Sequence, residues 1–376
     1  MSRILVIDPD PFGHCAFYLS LIVQAFPDRQ ITLLAPPRHE GILAHFQRRG
    51  LDPGRFTFVA PESKNAAMIV TQAAKLVRDG GFSKVFFSYL DTYLLALLQN
   101  PGGFPCPVSG IWFHPYDLDS KYRWLPPLDK RLKRRRYVNR SIRNLPPGLV
   151  FGHLFFLDEN AVGRLRAMNP RIPSCVLPDP WEKSPTLGQR EARERFELPQ
   201  DRRIFLHIGS SEKRKGLTDV IAAFKSLARS SGVKPLLLRV GDNRGLSSRD
   251  RADLRRLEEA GSAKVVEGYV PEEDFIEYFS AADWILLPYR KFRFSSGILS
   301  NAVCTNRPII ASDHGMIGAT ARKDSLGILY KPAAARQLQA AILEALTFRP
   351  VPISGSLAER LSPECFVAAL RDGLGE

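Results

Sequence analysis

The sequence predicts an α/β protein of two doubly wound, parallel-sheet domains, and three observations carry that expectation. Its 376 residues make two domains of ordinary size, each long enough to bury its own core. Short apolar segments alternate with segments of helical periodicity along most of the chain, the pattern left by parallel strands joined through crossover helices. Midway, LPDPWEKSPTLGQ places Pro178, Pro180 and Pro185 between two such alternating halves, a composition suited to an interdomain connection. The expected division is residues 1–178, residues 179–350, and a terminal segment 351–376 ending in a helix.

In the first half, RILVID, ITLLA, RFTFVA, KVFFSYL and CPVSGIWF read as strands, because short apolar runs bounded by turn signals suit strands buried on both faces. Helices are expected from Cys15 to Ala25, through Phe46, through Val77, and from Asp91 to Gln99. The layout is Rossmann-like. Gly13 and His14 follow the first strand as an N-terminal loop, a candidate acceptor-side contact without the G-x-G-x-x-G spacing of a dinucleotide fingerprint. In the second half the expected strands are Ile204–Ile208, Leu236–Val240, Lys264–Val266, Trp284–Leu287, Pro308–Ala311 and Gly327–Tyr330.

Hydrophobic residues at 44% and charged residues at 24% are globular values, which argues against disorder. No apolar run approaches the roughly 18 residues that span a bilayer, and Met1-Ser2-Arg3 leads into a strand without a signal-peptide pattern. A cytoplasmic location follows as the expectation. The five cysteines, Cys15, Cys106, Cys175, Cys304 and Cys365, are odd in number and widely spaced, so neither a disulfide framework nor a zinc site is indicated. A net charge of +14 and a pI near 9.7 favour anionic partners: phosphates, nucleic acid or an acidic membrane face.

Two loops in the second half narrow that choice. In IFLHIGSSEKRKGLTDVIAAFKSLARS, a strand ends at Ile208 and a helix carries Leu217, Val220, Ile221, Phe224 and Leu227 on one face. Between them stand Gly209, Ser210, Lys213, Arg214, Lys215 and Gly216. In WILLPYRKFRFSSGILSNAVCTNRPIIASDHG, a strand, a basic and aromatic loop, Ser295-Ser296-Gly297 and a helix follow one another. Strand, small-residue turn and helix in that order put free N–H groups and the positive end of a helix dipole at one point, which suits an anion. An ordinary βα turn capped by serine is the alternative for either loop taken alone.

The run G-x(6)-G, VGD, V-x-G-Y-V, AAD-x(4)-P and SG-x(4)-A-x(5)-PIIAS, spread over Ile204 to Leu346, resembles the donor-binding half of family-four glycosyltransferases (glycosyl transferases group 1) of the GT-B fold. The resemblance implies two Rossmann-like domains facing across a cleft, the last helix crossing back to the first, and retaining transfer from a UDP- or GDP-sugar. It implies a donor diphosphate held by Gly209, Ser210, Lys215, Ser296, Gly297 and Ile298, and a base and ribose near Gly268, Tyr269 and Asn301. The nucleotide sugar is then a substrate and no cofactor is expected. Without a D-x-D pattern, metal-independent transfer is expected too.

The sequence departs from the family at two points. The basic residue that normally follows the first glycine is replaced by Ser210, with Lys213, Arg214 or the stretch Arg290 to Arg293 as candidate substitutes. The paired glutamates of the family have Arg293 and Asn301 at their positions, so the chain resembles a divergent member, and sugar recognition is what their loss affects. A non-catalytic protein that binds a nucleotide sugar or a polyanion is the alternative to an enzyme.

His114 follows the strand that ends at Phe113. Ligands of open α/β sheets bind outside the carboxyl ends of strands, so imidazole there suits acid–base or sugar-orienting work, or else simply caps the loop. The resemblance implies the former. Finally, LDKRLKRRRYVNRSIR, with Lys130, Arg131, Lys133, Arg134, Arg135 and Arg136, reads as a cationic helix with a thin apolar stripe at Leu128 and Leu132, flanked by Tyr122, Trp124 and Tyr137. It is either a solvated helix or a contact for anionic lipid or a polyanionic acceptor, such as a glycan or lipid-linked precursor, at the inner face of a membrane. Nucleic acid is not expected, for want of a basic-aromatic recognition motif.

Overall fold

A computed structural model describes residues 3–9, 14–36, 39–100, 103–118, 130–229, 235–268 and 270–376. Gly13, Tyr122, Trp124, Leu128 and Tyr269 lie outside the described residues, and so does the side chain of His14. The chain forms two units, Met1–Pro178 with Pro363–Glu376, and Asp179–Ser362.

In the first unit, β1 (Arg3–Ile7), β2 (Gln30–Leu34), β3 (Thr57–Val59), β4 (Phe82–Phe87), β5 (Val108–Ile111), β6 (Phe151–Phe156) and β7 (Ser174–Val176) form one parallel sheet in the order β3-β2-β1-β4-β5-β6-β7. Successive side chains of a strand point to opposite faces, and β1 shows the result. Leu5 and Ile7 pack with α3 (Ala66–Gly80), α4 (Leu90–Gln99), α5 (Lys130–Arg143) and α6 (Glu159–Met168). Ile4 and Val6 pack with α1 (His14–Gln24) and α2 (Glu40–Arg48) on the other face. Burial on both faces is why these strands read as unbroken apolar runs.

The sheet has two more strands than the five expected. β7 has only three residues, and β6 is interrupted by Gly152 and His153. That glycine has a packing reason: a Cβ there would stand 2.7 Å from Ser109 Oγ on β5.

The second unit repeats the plan with α7 (Gln189–Arg195), β8 (Ile204–Ile208), α8 (Leu217–Leu227), β9 (Leu236–Gly241), α9 (Ser248–Glu259), β10 (Ala263–Glu267), α10 (Glu272–Ala281), β11 (Trp284–Leu287), α11 (Gly297–Cys304), β12 (Ile309–Ser312), α12 (Gly315–Lys323), β13 (Gly327–Tyr330), α13 (Ala335–Thr347) and α14 (Gly355–Arg360). Its parallel sheet runs β10-β9-β8-β11-β12-β13. Leu206 and Ile208 serve one core, and Phe205 serves the other with α8 and α13.

The stretch 351–362, grouped with the terminal helix in the sequence expectation, belongs to the second unit, where Trp181 Nε1 donates to the Ala358 carbonyl at 2.9 Å. Only α15 (Pro363–Leu374) returns to the first unit. There Phe366 and Leu370 are fully buried beside β1 and α1. The Glu376 carboxylate closes that end on Arg29 at 2.8 Å and Lys84 at 2.5 Å.

Candidate functional site

Strand order decides where a ligand can sit on the second sheet. From the central pair β8 and β11, the chain builds outward through β9 on one side and β12 on the other, and ligands of open α/β sheets bind at such a switch point, outside the strands' carboxyl ends. The loops after β8 and β11 are the two that the sequence singles out.

The loop after β8 turns at Gly209 with φ +113°, where a Cβ would stand 2.6 Å from Lys215 Nζ. The glycine leaves room for the ammonium to fold back over the end of the strand. A 3-10 turn, Lys213–Lys215, leads to Gly216 at φ +70°, whose missing Cβ would collide with the Pro288 carbonyl oxygen after β11. Both loops are therefore in backbone contact. Arg290 N donates to the Arg214 carbonyl at 2.7 Å and fastens them further.

The loop cations are not equivalent. Arg214 is ion-paired to Glu212 at 2.7 Å and lies 4.7 Å over the Phe292 ring. Arg290 Nε donates to Asp219 Oδ2 at 2.6 Å. Neither is free to replace the cation missing at Ser210, whose hydroxyl donates to Glu212 at 2.9 Å. The Lys215 ammonium, by contrast, has no hydrogen-bond or ion-pair partner among the described residues. Burial, with the Arg214 charge beside it, brings its ammonium down from 10.5 to about 8, a fall that the more distant Glu212 carboxylate offsets only in part.

On the other side, α11 begins at Gly297 with no side chain capping its first turn, since the Ser296 hydroxyl pairs with Tyr289 Oη at 3.1 Å. Its N-terminal N–H groups, at Gly297 and Ile298, stay uncapped by that serine, with the helix dipole behind them. Gly268, at φ +113°, follows β10, the edge strand beyond β9, and donates its N–H to the Gly241 carbonyl at 3.4 Å.

Asn301 corrects the sequence reading. It is fully buried, its Nδ2 donating to the Gly297 carbonyl at 2.8 Å and its Oδ1 accepting from Glu182 N at 3.2 Å. It ties α11 to the incoming chain and has no exposed group for a ribose.

In the first unit, His114 lies after β5, its ring part-exposed. Its Nδ1 is 2.7 Å from Tyr89 Oη, and Tyr116 stacks on the ring. The Asp91 carboxylate accepts the N–H groups of Phe113 at 2.9 Å and His114 at 2.7 Å, which fixes the turn. Burial pushes the Asp91 carboxyl up to about 7 against the pull of those hydrogen bonds.

The basic helix α5 braces the same turn. Arg134 Nε donates to Asp117 Oδ2 at 3.2 Å and its Nη2 to the Asp91 carbonyl at 3.1 Å, while Arg135 Nε donates to the Asp117 carbonyl at 3.3 Å. These two arginines are thus structural. Lys130, Arg131, Lys133 and Arg136 are exposed, and the buried stripe is Leu132, Val138 and Ile142.

Sequence reasoning missed Asp91, His207 and Arg239. The signal for Arg239 was present, a lone cation in the apolar strand LLLRVG.

Residues 188–361 match the family model of glycosyl transferases group 1. Over 176 residues the chain is 30% identical to the "Putative teichuronic acid biosynthesis glycosyltransferase TuaC" of Bacillus subtilis (strain 168), a match spanning 45% of this chain and 40% of that protein's length. Among solved structures, sucrose-phosphate synthase from Thermosynechococcus elongatus has a TM-score of 0.71 at 17% identity, covering 100% of this chain and 98% of that one. HepE from Anabaena, in complex with UDP and glucose, has a TM-score of 0.71 at 13% identity, with 100% of both chains covered. At these identities the likeness is one of fold.

Proposed function

We propose that this chain, whose second unit is a glycosyl transferases group 1 domain, transfers a glycosyl group from a nucleotide-diphosphate sugar to a hydroxyl acceptor. The observation that carries the reading is Lys215, whose ammonium has no ion-pair partner among the described residues, folded over the end of β8 and joined by its loop to the one that opens α11. A diphosphate would supply the counter-charge. As the sugar leaves, charge growing on the diphosphate is offset by Lys215 and by the first turn of α11, groups already in place before reaction.

A HepE structure holds UDP-glucose, which makes a UDP-sugar the first donor to test beside a GDP-sugar. The name of TuaC, a teichuronic acid biosynthesis glycosyltransferase, supports a glycan acceptor. On the acceptor side, His114 is the proposed acid–base or orienting group, kept in place by Tyr89 and by the Asp91 clamp on its backbone. The exposed cations of α5 suit an anionic membrane surface that would present a lipid-linked acceptor. Among the described residues no helix is long and apolar enough to cross a membrane.

A second reading, donor binding without transfer, is favoured by one observation: Arg293 and the buried Asn301 occupy the positions where the resembled family has its two glutamates. A thermal-shift panel with nucleotide sugars separates binding from none, since ligand at about 100 times Kd adds about 2.7 kcal/mol of stability. Transfer or donor hydrolysis is then measured with the donor that binds, in the wild type and in His114→Ala. Turnover lowered at least about 100-fold in the variant, with donor binding kept, is the expected result. A flat panel removes the proposal, and binding without turnover leaves the second reading.

A further inference from the structure

Arg239, in the middle of β9, is fully buried. Its guanidinium is wholly engaged, yet no carboxylate pairs with it among the described residues. Nε donates to Asn243 Oδ1 at 2.9 Å and Nη2 to the Asp242 carbonyl at 2.7 Å. Nη1 reaches the carbonyls of Val240 and of His207, the latter at 3.3 Å, and His207 Nδ1 at 3.4 Å.

The last contact fixes the chemistry of His207. A guanidinium only donates, so Nδ1 of the imidazole must accept, and the ring hydrogen belongs on Nε2. That nitrogen is 3.2 Å from the Lys215 carbonyl, to which it donates. The ring is therefore neutral, and burial together with the Arg239 charge pushes it down to about 3. A chain of hydrogen bonds runs from Arg239 through His207 to the backbone of Lys215. Above it, Gly241 packs against the Gly209 carbonyl so closely that any Cβ would collide. Lys215 and Arg239 thus lie on either side of a neutral ring, and among the described residues neither has a carboxylate within ion-pair distance: Glu212 acts on the first, and Asp242 and Glu267 on the second, only from farther off. Buried charge of one sign is costly unless something of the opposite sign binds beside it.

We propose that Arg239 is a positioning residue for a polyphosphate: it holds Lys215 in place through His207 and supplies a second, fixed positive charge behind it. The inference rests on the donor-binding reading above and adds to it a residue that recognises the diphosphate and leaves base and sugar to other groups. The charged and titratable groups facing Lys215 are Arg214 and Glu212 from its own loop, Arg239 from β9 and neutral His207 from β8.

The test is calorimetric titration of the full chain and of Arg239→Gln, Arg239→Lys and Lys215→Met with inorganic pyrophosphate, with UDP or GDP, and with the bare nucleoside, between about pH 6.5 and 9.5. At pH 7, Arg239→Gln is expected to bind pyrophosphate and the diphosphate at least about tenfold more weakly, while the nucleoside changes less than about threefold. Wild-type affinity for pyrophosphate declines above about pH 8 as Lys215 loses its proton. In Arg239→Gln the decline begins at somewhat higher pH, because burial and Arg214 still lower the Lys215 pKa but the added push of the Arg239 charge is gone. Arg239→Lys, which keeps the charge, leaves it where the wild type has it.

Unchanged pyrophosphate affinity in Arg239→Gln, an equal loss for nucleoside and diphosphate, or an unmoved decline overturns the proposal. Should Arg239→Gln not fold, Arg239→Lys decides: a loss smaller than that of Lys215→Met supports it, and an equal loss overturns it. A wild type that binds neither pyrophosphate nor a nucleoside diphosphate removes the donor-binding reading together with this one. Wild-type binding with an indifferent Arg239→Gln removes only this one.

Discussion

Lys215 shows at the scale of one residue how a binding site is kept at the expense of stability. Its ammonium ionises near pH 8 in the folded chain against 10.5 ordinarily, so between these values the unfolded chain holds the proton that the folded chain has released. Stability then rises with pH across that window, and below about pH 8 the charged lysine lowers it by an amount on the order of 3 kcal/mol. Lys215→Met is expected to raise Tm at pH 7 in the absence of ligand, with the advantage fading toward pH 10, and to lose pyrophosphate binding. Melting curves at both pH values decide this. A variant less stable than the wild type at pH 7 would mean that the lysine stem packs as an ordinary core element. Asn301 is the opposite case, a polar side chain at a position that suggested ligand contact, spent entirely on fastening α11 to the chain at Glu182.

At the scale of elements, α5 divides its work between two faces. Leu132, Val138 and Ile142 are buried, Arg134 and Arg135 brace the turn after β5, and Lys130, Lys133, Arg136, Arg140 and Arg143 are exposed. Replacing Lys130, Lys133, Arg136 and Arg140 by Gln is expected to leave Tm within about 1 °C, since surface changes without partners are worth little. It should also weaken binding to vesicles containing anionic lipid by up to about 1000-fold, at about 1 kcal/mol per charge. Arg134→Ala should do the reverse, lowering Tm with little effect on vesicle binding. Co-sedimentation beside melting separates the faces, and unchanged sedimentation of the four-residue variant would make the exposed face merely solvated. Such a division is not legible from a run of basic residues, because which arginine meets Asp117 depends on a turn distant in sequence.

For the whole molecule, the second unit is an insertion in the first, entered after Pro178 and left before Pro363. The first unit is completed only by α15, whose Phe366 and Leu370 are fully buried. Phe366→Ala is expected to cost about 3–5 kcal/mol, the range for truncating a buried aromatic, and to lower the melting of the first unit alone. The fragment 179–362, with both strand-end loops and its own two cores, is expected to fold by itself and to keep diphosphate binding. Calorimetry of the variant and of the fragment measures both. A single transition lowered as a whole in Phe366→Ala, with a fragment that does not fold, would mean that the two units fold as one.

Most of this architecture was legible in the chain itself. Apolar runs separated by helical periodicity determine parallel strands covered on both faces, and the positions of Gly209, Gly216, Ser296 and Gly297 mark the two loops at strand ends, because only certain residues tolerate those turns. β6 and β7 escaped because a glycine required by the neighbouring Ser109, and a length of three residues, erase the pattern on which such reading depends. What only the tertiary structure decided is which charges are free. Arg214 and Arg290 look like ligands for an anion in the sequence and are paired in the fold, while Arg239 looks like a misplaced charge and stands behind Lys215, whose ammonium is left unpaired among the described residues. The physical reason is that a backbone pattern is written locally, every few residues. A charge is satisfied or left unsatisfied by partners from other strands, whose approach no local pattern records.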